Sequence, residues 1–119
     1  MTSVQKTILV VEDEPSIRET LQQILELDGY LVISAAHGKE ALEKLQNGSR
    51  PNLILLDLMM PVMNGWEFMD HLKLDPALSK IPIVILSAAG SNQNKGHAVA
   101  VLRKPTDIDL LIQTIEQNC

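Results

Sequence analysis

Asp57 closes the apolar run Leu53-Ile54-Leu55-Leu56, and the turn Leu58-Met59-Met60-Pro61 follows at once. Glu12 and Asp13 close a second such run, Ile8-Leu9-Val10-Val11. Ser87 ends a third, Ile81 to Leu86, and Lys104, with Pro105 behind it, follows a weaker one, Ala98 to Leu102. Three carboxylates held close repel each other and raise each other's pKa unless a cation joins them. A hard divalent ion with oxygen ligands is the natural remedy, and Mg2+ normally takes one or two carboxylates, waters and a phosphate oxygen. With such an ion in place Asp57 is an oxygen nucleophile toward a phosphoryl group, forming an acyl phosphate. Catalysis of that transfer is mostly positioning and electrostatics. Lys104 would supply a mobile positive charge and Ser87 a hydroxyl donor.

Each residue also has a plainer use. An aspartate after an apolar run is most often a cap, a serine after a strand likewise, and a lysine before proline is commonly a solvated turn residue. An acidic Glu12-Asp13-Glu14 suits a helix start, which is the better reading for Glu14. One by one the plainer uses win; all together at strand ends they do not.

Convergence depends on the elements. A continuous apolar run such as 53–56 reads as a strand buried on both faces, as in parallel sheets. Leu31-Val32-Ile33-Ser34 is a further strand, which makes five. Between them lie helical patterns: Pro15 with Ile17, Leu21, Ile24 and Leu25, ended by Gly29, and Ala41, Leu42 and Leu45, ended by Asn47-Gly48. Asn64 and Glu67 mark the start of a helix through Phe68, Met69 and Leu72. Thr106 and Asp109 have capping-box spacing before Ile108, Leu111, Ile112 and Ile115. Pro82 belongs at the first positions of its strand, since a ladder interior needs the missing N–H. Strands alternating with helices argue a parallel sheet with helices on both faces, and right-handed crossovers bring every carboxyl end to one edge. Ligands of such sheets bind at that edge.

Bulk properties narrow the classes. A length of 119 residues predicts one domain, residues 1–119. Aromatics are only 3%, so the core must be aliphatic. A net charge of −5 argues against a nucleic-acid partner. No apolar run reaches membrane-spanning length, and Met1 to Lys6 carries no signal-peptide apolar region. Cys119 is the only cysteine, so a reducing, cytoplasmic setting is the simplest expectation. Met59, Met60, Met63 and Met69 lack Cys or His at ligand spacing and read as adaptable packing. His37, His71 and His97 have no nucleophile nearby in sequence, and Trp66, just past the acidic turn, is expected to be partly exposed.

The chain resembles the response-regulator receiver domains of two-component signalling over essentially its whole length. The resemblance rests on Ile8-Leu9-Val10-Val11-Glu12-Asp13-Glu14, on Leu55-Leu56-Asp57-Leu58-Met59-Met60-Pro61 with Asn64-Gly65, on Leu86-Ser87-Ala88 and on Lys104-Pro105. It implies a flavodoxin-like α/β fold, an open five-stranded parallel sheet of order 2-1-3-4-5, and a cis Lys104–Pro105 bond. Asp57 would accept a phosphoryl group from a histidine kinase or phosphotransfer protein. Glu12, Asp13, Asp57 and the Met59 backbone carbonyl would hold Mg2+, with Mn2+ as an alternative. Ser87 would be the switch hydroxyl and Lys104 the phosphoryl-binding ammonium. With no output domain expected, a monomer or weak dimer would dock on a downstream protein or relay the phosphoryl group.

Two departures concern readout. The family usually carries Tyr or Phe three residues before the lysine; here Val101 stands there, with no ring to swing. The segment between Ser87 and Lys104 is shorter than usual and rich in Gly, Ser and Asn, so the fourth helix is expected to be shortened or absent. Output is then expected to run through the Ala88–His97 loop. A receiver-like adaptor that needs no phosphate is the alternative. An aspartyl phosphohydrolase would want a second acid close after Asp57, where Leu58 and Met59 stand. A flavodoxin-like carrier would need Gly, Ser or Thr, not acids, after the first strand.

Overall fold

The strands of this chain are apolar on both faces, and that property dictates the layering. In the computed structural model, which describes residues 5–60, 62–87, 98–104 and 107–119, five strands form one sheet. They are β1 (Thr7–Val11), β2 (Leu31–Ala35), β3 (Leu53–Asp57), β4 (Ile83–Ser87) and β5 (Ala100–Arg103). All pairs are parallel and the order is β2-β1-β3-β4-β5, as expected. The strand pattern divides cleanly between two cores. Leu9, Val11, Ile54, Leu56, Ile83 and Ile85 face one side; Ile8, Val10, Leu53, Leu55, Val84 and Leu86 face the other.

Among the described residues two helices cover each core. Leu21 and Leu25 of α1 (Pro15–Leu27) and Leu111 and Ile115 of α4 (Ile108–Asn118) cover one face. Ala41, Leu42 and Leu45 of α2 (Gly38–Gln46) and Phe68, Met69 and Leu72 of α3 (Gly65–Lys73) cover the other. Every position of β3 is buried, and each such Leu or Ile contributes about 1.5–3 kcal/mol by leaving water.

The helix ends follow their chemistry. Pro15 opens α1, where its missing N–H costs nothing. Gly29 and Gly48 adopt φ of 95° and 106° just past α1 and α2, a left-handed conformation that glycine reaches without a Cβ clash. Asn64 and Glu67 form the expected reciprocal capping box of α3. The cap of α4 differs from the expected Thr106: Asp107 accepts from the Asp109 N–H, because it sits directly before the first helical residue. Strand β4 begins at Ile83, and Pro82 stays outside it, giving its carbonyl to Ile54 N–H at 2.9 Å. Strand β5 runs from Ala100 to Arg103, later than the apolar run suggested.

Among the described residues β4 is followed directly by β5, and four helices stand in all. Residues 88–97, where a loop and a shortened or absent fourth helix are expected, Pro61, and Pro105 with the cis bond expected before it, lie outside the described residues. Among the described residues no helix is long and apolar enough to cross a membrane.

Candidate functional site

Strand order reverses at the β1/β3 pair, with β2 lying on one side and β4 on the other. That reversal opens a crevice beyond the carboxyl ends of β1 and β3, and register fills it. Val11 pairs with Leu56, so the next residues, Glu12 and Asp57, face each other across the crevice. Asp57 in turn pairs with Leu86, which puts Ser87 one step beyond. Ser87 pairs with Arg103, and Lys104 N–H donates to the Ser87 carbonyl at 2.9 Å. Parallel pairing therefore brings the expected Glu12, Asp13, Asp57, Ser87 and Lys104 to one edge.

Ligand-type oxygens of Glu12, Asp13 and Asp57 all lie within 4.8 Å of one another. Glu12 is 1% exposed and Asp57 6%, while Asp13 is the more open member. Burial pushes the Asp57 carboxyl up to about 7, and the Glu12 charge adds to the rise. Lys104 and the Met59 N–H, which donates to Asp57 Oδ1 at 3.2 Å, oppose it, and a hydrogen bond with Asp13 favours the protonated form. A carboxylate raised by desolvation and like charge is one that a nearby cation would favour in its ionised form. Hard oxygen donors crowded this closely fit a divalent metal, and the cluster could hold one.

Lys104 is the internal counter-charge. Its Nζ lies 2.7 Å from Glu12 Oε1 and 3.5 Å from Asp57 Oδ1. Burial alone would weaken the ammonium, but Glu12 and then Asp57 outweigh it and hold its pKa above the ordinary value. Ser87 is 2% exposed at the end of β4. Met59 turns its side chain to solvent, 68% exposed, while its backbone faces Asp57.

The model of the response regulator receiver domain family matches residues 8–116. The chain belongs to that family. It is 45% identical over 86 residues to a probable transcriptional regulator, ycf27, of Cyanophora paradoxa, but spans only 34% of that protein's length. An uncharacterized 14.6 kDa protein of Leptolyngbya boryana is 33% identical over 99% of this chain and 93% of its own length. The response regulator TrrA of Thermotoga maritima, solved in complex with Mg(2+)-BeF, matches at a TM-score of 0.85 and 31% identity. That match covers 97% of this chain and 100% of TrrA.

As a receiver domain the chain belongs to two-component signalling, where receivers stand between histidine kinases and downstream targets. Val101, at the position where the resemblance leads one to expect a ring, pairs with Ile85 and packs half-buried on the α2/α3 side of the sheet. Trp66 is likewise half-buried against that core.

Sequence reasoning missed one contact. Arg18, a turn inside α1, donates from Nη1 to the Glu12 carbonyl at 2.8 Å. A guanidinium six residues beyond Glu12, on a helix starting just behind the acids, was the available signal, but a bond to a main-chain oxygen follows no side-chain spacing rule. His37, for which the sequence offers no role, accepts the Glu40 N–H on Nδ1 and caps α2.

Proposed function

We propose that the chain, acting as a single receiver domain over residues 1–119, takes a phosphoryl group onto Asp57 from the phosphohistidine of a histidine kinase or phosphotransfer protein. The observation carrying this reading is the Glu12–Asp13–Asp57 cluster with Lys104 Nζ bridging two of its members. An Asp57 oxygen bonds to phosphorus as the P–N bond breaks, and the imidazole nitrogen keeps the electron pair. Mg2+ (or Mn2+), held by Glu12, Asp13, Asp57 and the Met59 carbonyl, would neutralise charge on the phosphoryl oxygens. Lys104 then has phosphoryl oxygens to serve in place of the Asp57 charge, and the Ser87 hydroxyl donates to one of them as the switch. The Met59 N–H on Asp57 Oδ1 keeps the nucleophile aimed outward from β3.

Its chemistry is confined to forming and hydrolysing its own acyl phosphate. The signal leaves by docking to a downstream protein or by relay, from a monomer or weak dimer in the cytoplasm. One observation favours a second reading. Val101 is an aliphatic residue packed against the core, so the ring movement expected of the family has no counterpart there, as in an adaptor that binds partners without phosphate.

Incubation with a small-molecule phosphodonor and Mg2+, followed by intact mass, separates the two. The receiver reading expects one phosphoryl adduct on the wild type and none on Asp57→Asn. An unlabelled wild type would sink the receiver reading and support the adaptor.

A further inference from the structure

Glu12 is fixed through every polar atom it owns. Its N–H donates to the Ala35 carbonyl at 3.1 Å. Its Oε2 accepts the Glu14 N–H at 3.2 Å, and its Oε1 takes Lys104 Nζ at 2.7 Å. The remaining atom, the carbonyl oxygen, accepts from Arg18 Nη1 at 2.8 Å. That oxygen belongs to the peptide joining Glu12 to Asp13. The unit is planar, so anchoring its oxygen restrains both Cα atoms together. Two of the three clustered carboxylates hang from those atoms.

We propose that Arg18 is a positioning residue for the cation site, acting through the Glu12–Asp13 peptide rather than by touching the ion. The inference rests on the receiver reading above. Lys104 cannot do this job once a cation is present, because it shares Glu12 Oε1 and the Asp57 carboxylate with the ion's own ligand set. Arg18 holds a main-chain atom that no cation needs, so its grip persists through binding. A guanidinium presents a rigid planar fork, and a lysine at the same place keeps the charge while losing that geometry. Outer partners that orient a metal ligand typically change affinity by about 10-fold or more when removed.

The sign of the effect separates positioning from simple charge. If Arg18 acted only as a nearby positive charge, removing it would tighten binding of a divalent ion. As a positioning residue its loss weakens binding even though a repelling charge is gone.

Calorimetric titration with Mg2+ of the wild type, Arg18→Lys and Arg18→Met, each checked for cooperative thermal unfolding, provides the test. Both variants are expected to bind Mg2+ about tenfold more weakly than the wild type. Labelling by a small-molecule phosphodonor should need correspondingly more Mg2+ for half its maximal rate, yet reach a similar rate at saturation. A merely destabilising substitution would not produce that split. If the wild type binds Mg2+ and Arg18→Lys matches it, or Arg18→Met binds more tightly, the positioning role is overturned alone. A wild type that binds no Mg2+ overturns the receiver reading and this inference with it.

Discussion

Val62 holds a backbone φ of 70° in the turn between Asp57 and α3. A β-branched residue there is a genuine outlier, since its Cβ crowds the backbone in the left-handed region. Its side chain is 77% exposed, so almost no burial offsets that strain. Asparagine tolerates the same conformation through local hydrogen bonding. Val62→Asn should therefore stabilise the fold by about 1 kcal/mol, read as a higher denaturant midpoint at unchanged slope. A lower midpoint would mean that the valine makes a contact worth more than the strain. The same scale shows what was legible in advance. Glu12, Asp57 and Ser87 could be placed at the sheet edge from sequence because each ends an apolar run, and a strand end is a place as well as a pattern. Arg18 and Val62 could not, since one acts on a main-chain oxygen and the other through a dihedral angle.

At the scale of elements, the approach of α3 to β3 decides where Asp57 points. Gly65 opens α3, and its N–H donates to the Leu58 carbonyl at 2.9 Å. A Cβ added there would lie 2.8 Å from Leu58 Cα and 3.0 Å from the Asp57 carbonyl oxygen. Both are backbone atoms and cannot swing aside as a side chain does. The glycine is required by this close approach, not by its dihedral. Gly65→Ala should cost about 1–3 kcal/mol, the usual range for overpacking, and should slow phosphodonor labelling because the Asp57–Leu58 backbone must yield. Chemical denaturation alongside labelling rates checks this; an alanine variant as stable and as fast as the wild type would show that α3 can retreat freely. Element boundaries were less legible than element types. The apolar run from Ile81 placed Pro82 at the first positions of β4, yet the strand begins one residue after it, at Ile83. The Thr106–Asp109 spacing similarly outweighed Asp107, whose side chain makes the cap.

Over the whole molecule, the site works against the fold that positions it. Folding takes Asp57 from water into a crevice beside Glu12, and its pKa rises from 3.8 to about 7. Between those values the folded chain keeps a proton that the unfolded chain has released. Stability from this group is therefore fully present below about pH 4 and is lost as pH rises through about 7. A divalent cation held by the Glu12–Asp13–Asp57 cluster would act in the opposite sense, because it would bind the folded cluster only and bind best when Asp57 is ionised. Millimolar Mg2+ should then raise the melting temperature at pH 8 by roughly 5 °C, with a much smaller rise at pH 5. Asp57→Asn removes both the titration and one ligand, so it should flatten the pH dependence between 4 and 7 and blunt the Mg2+ response. Thermal unfolding of both proteins at pH 5 and pH 8, with and without Mg2+, measures all of these quantities. Equal Mg2+ stabilisation at the two pH values would show that the ion binds elsewhere, and that the strain of three converging carboxylates is not what it relieves.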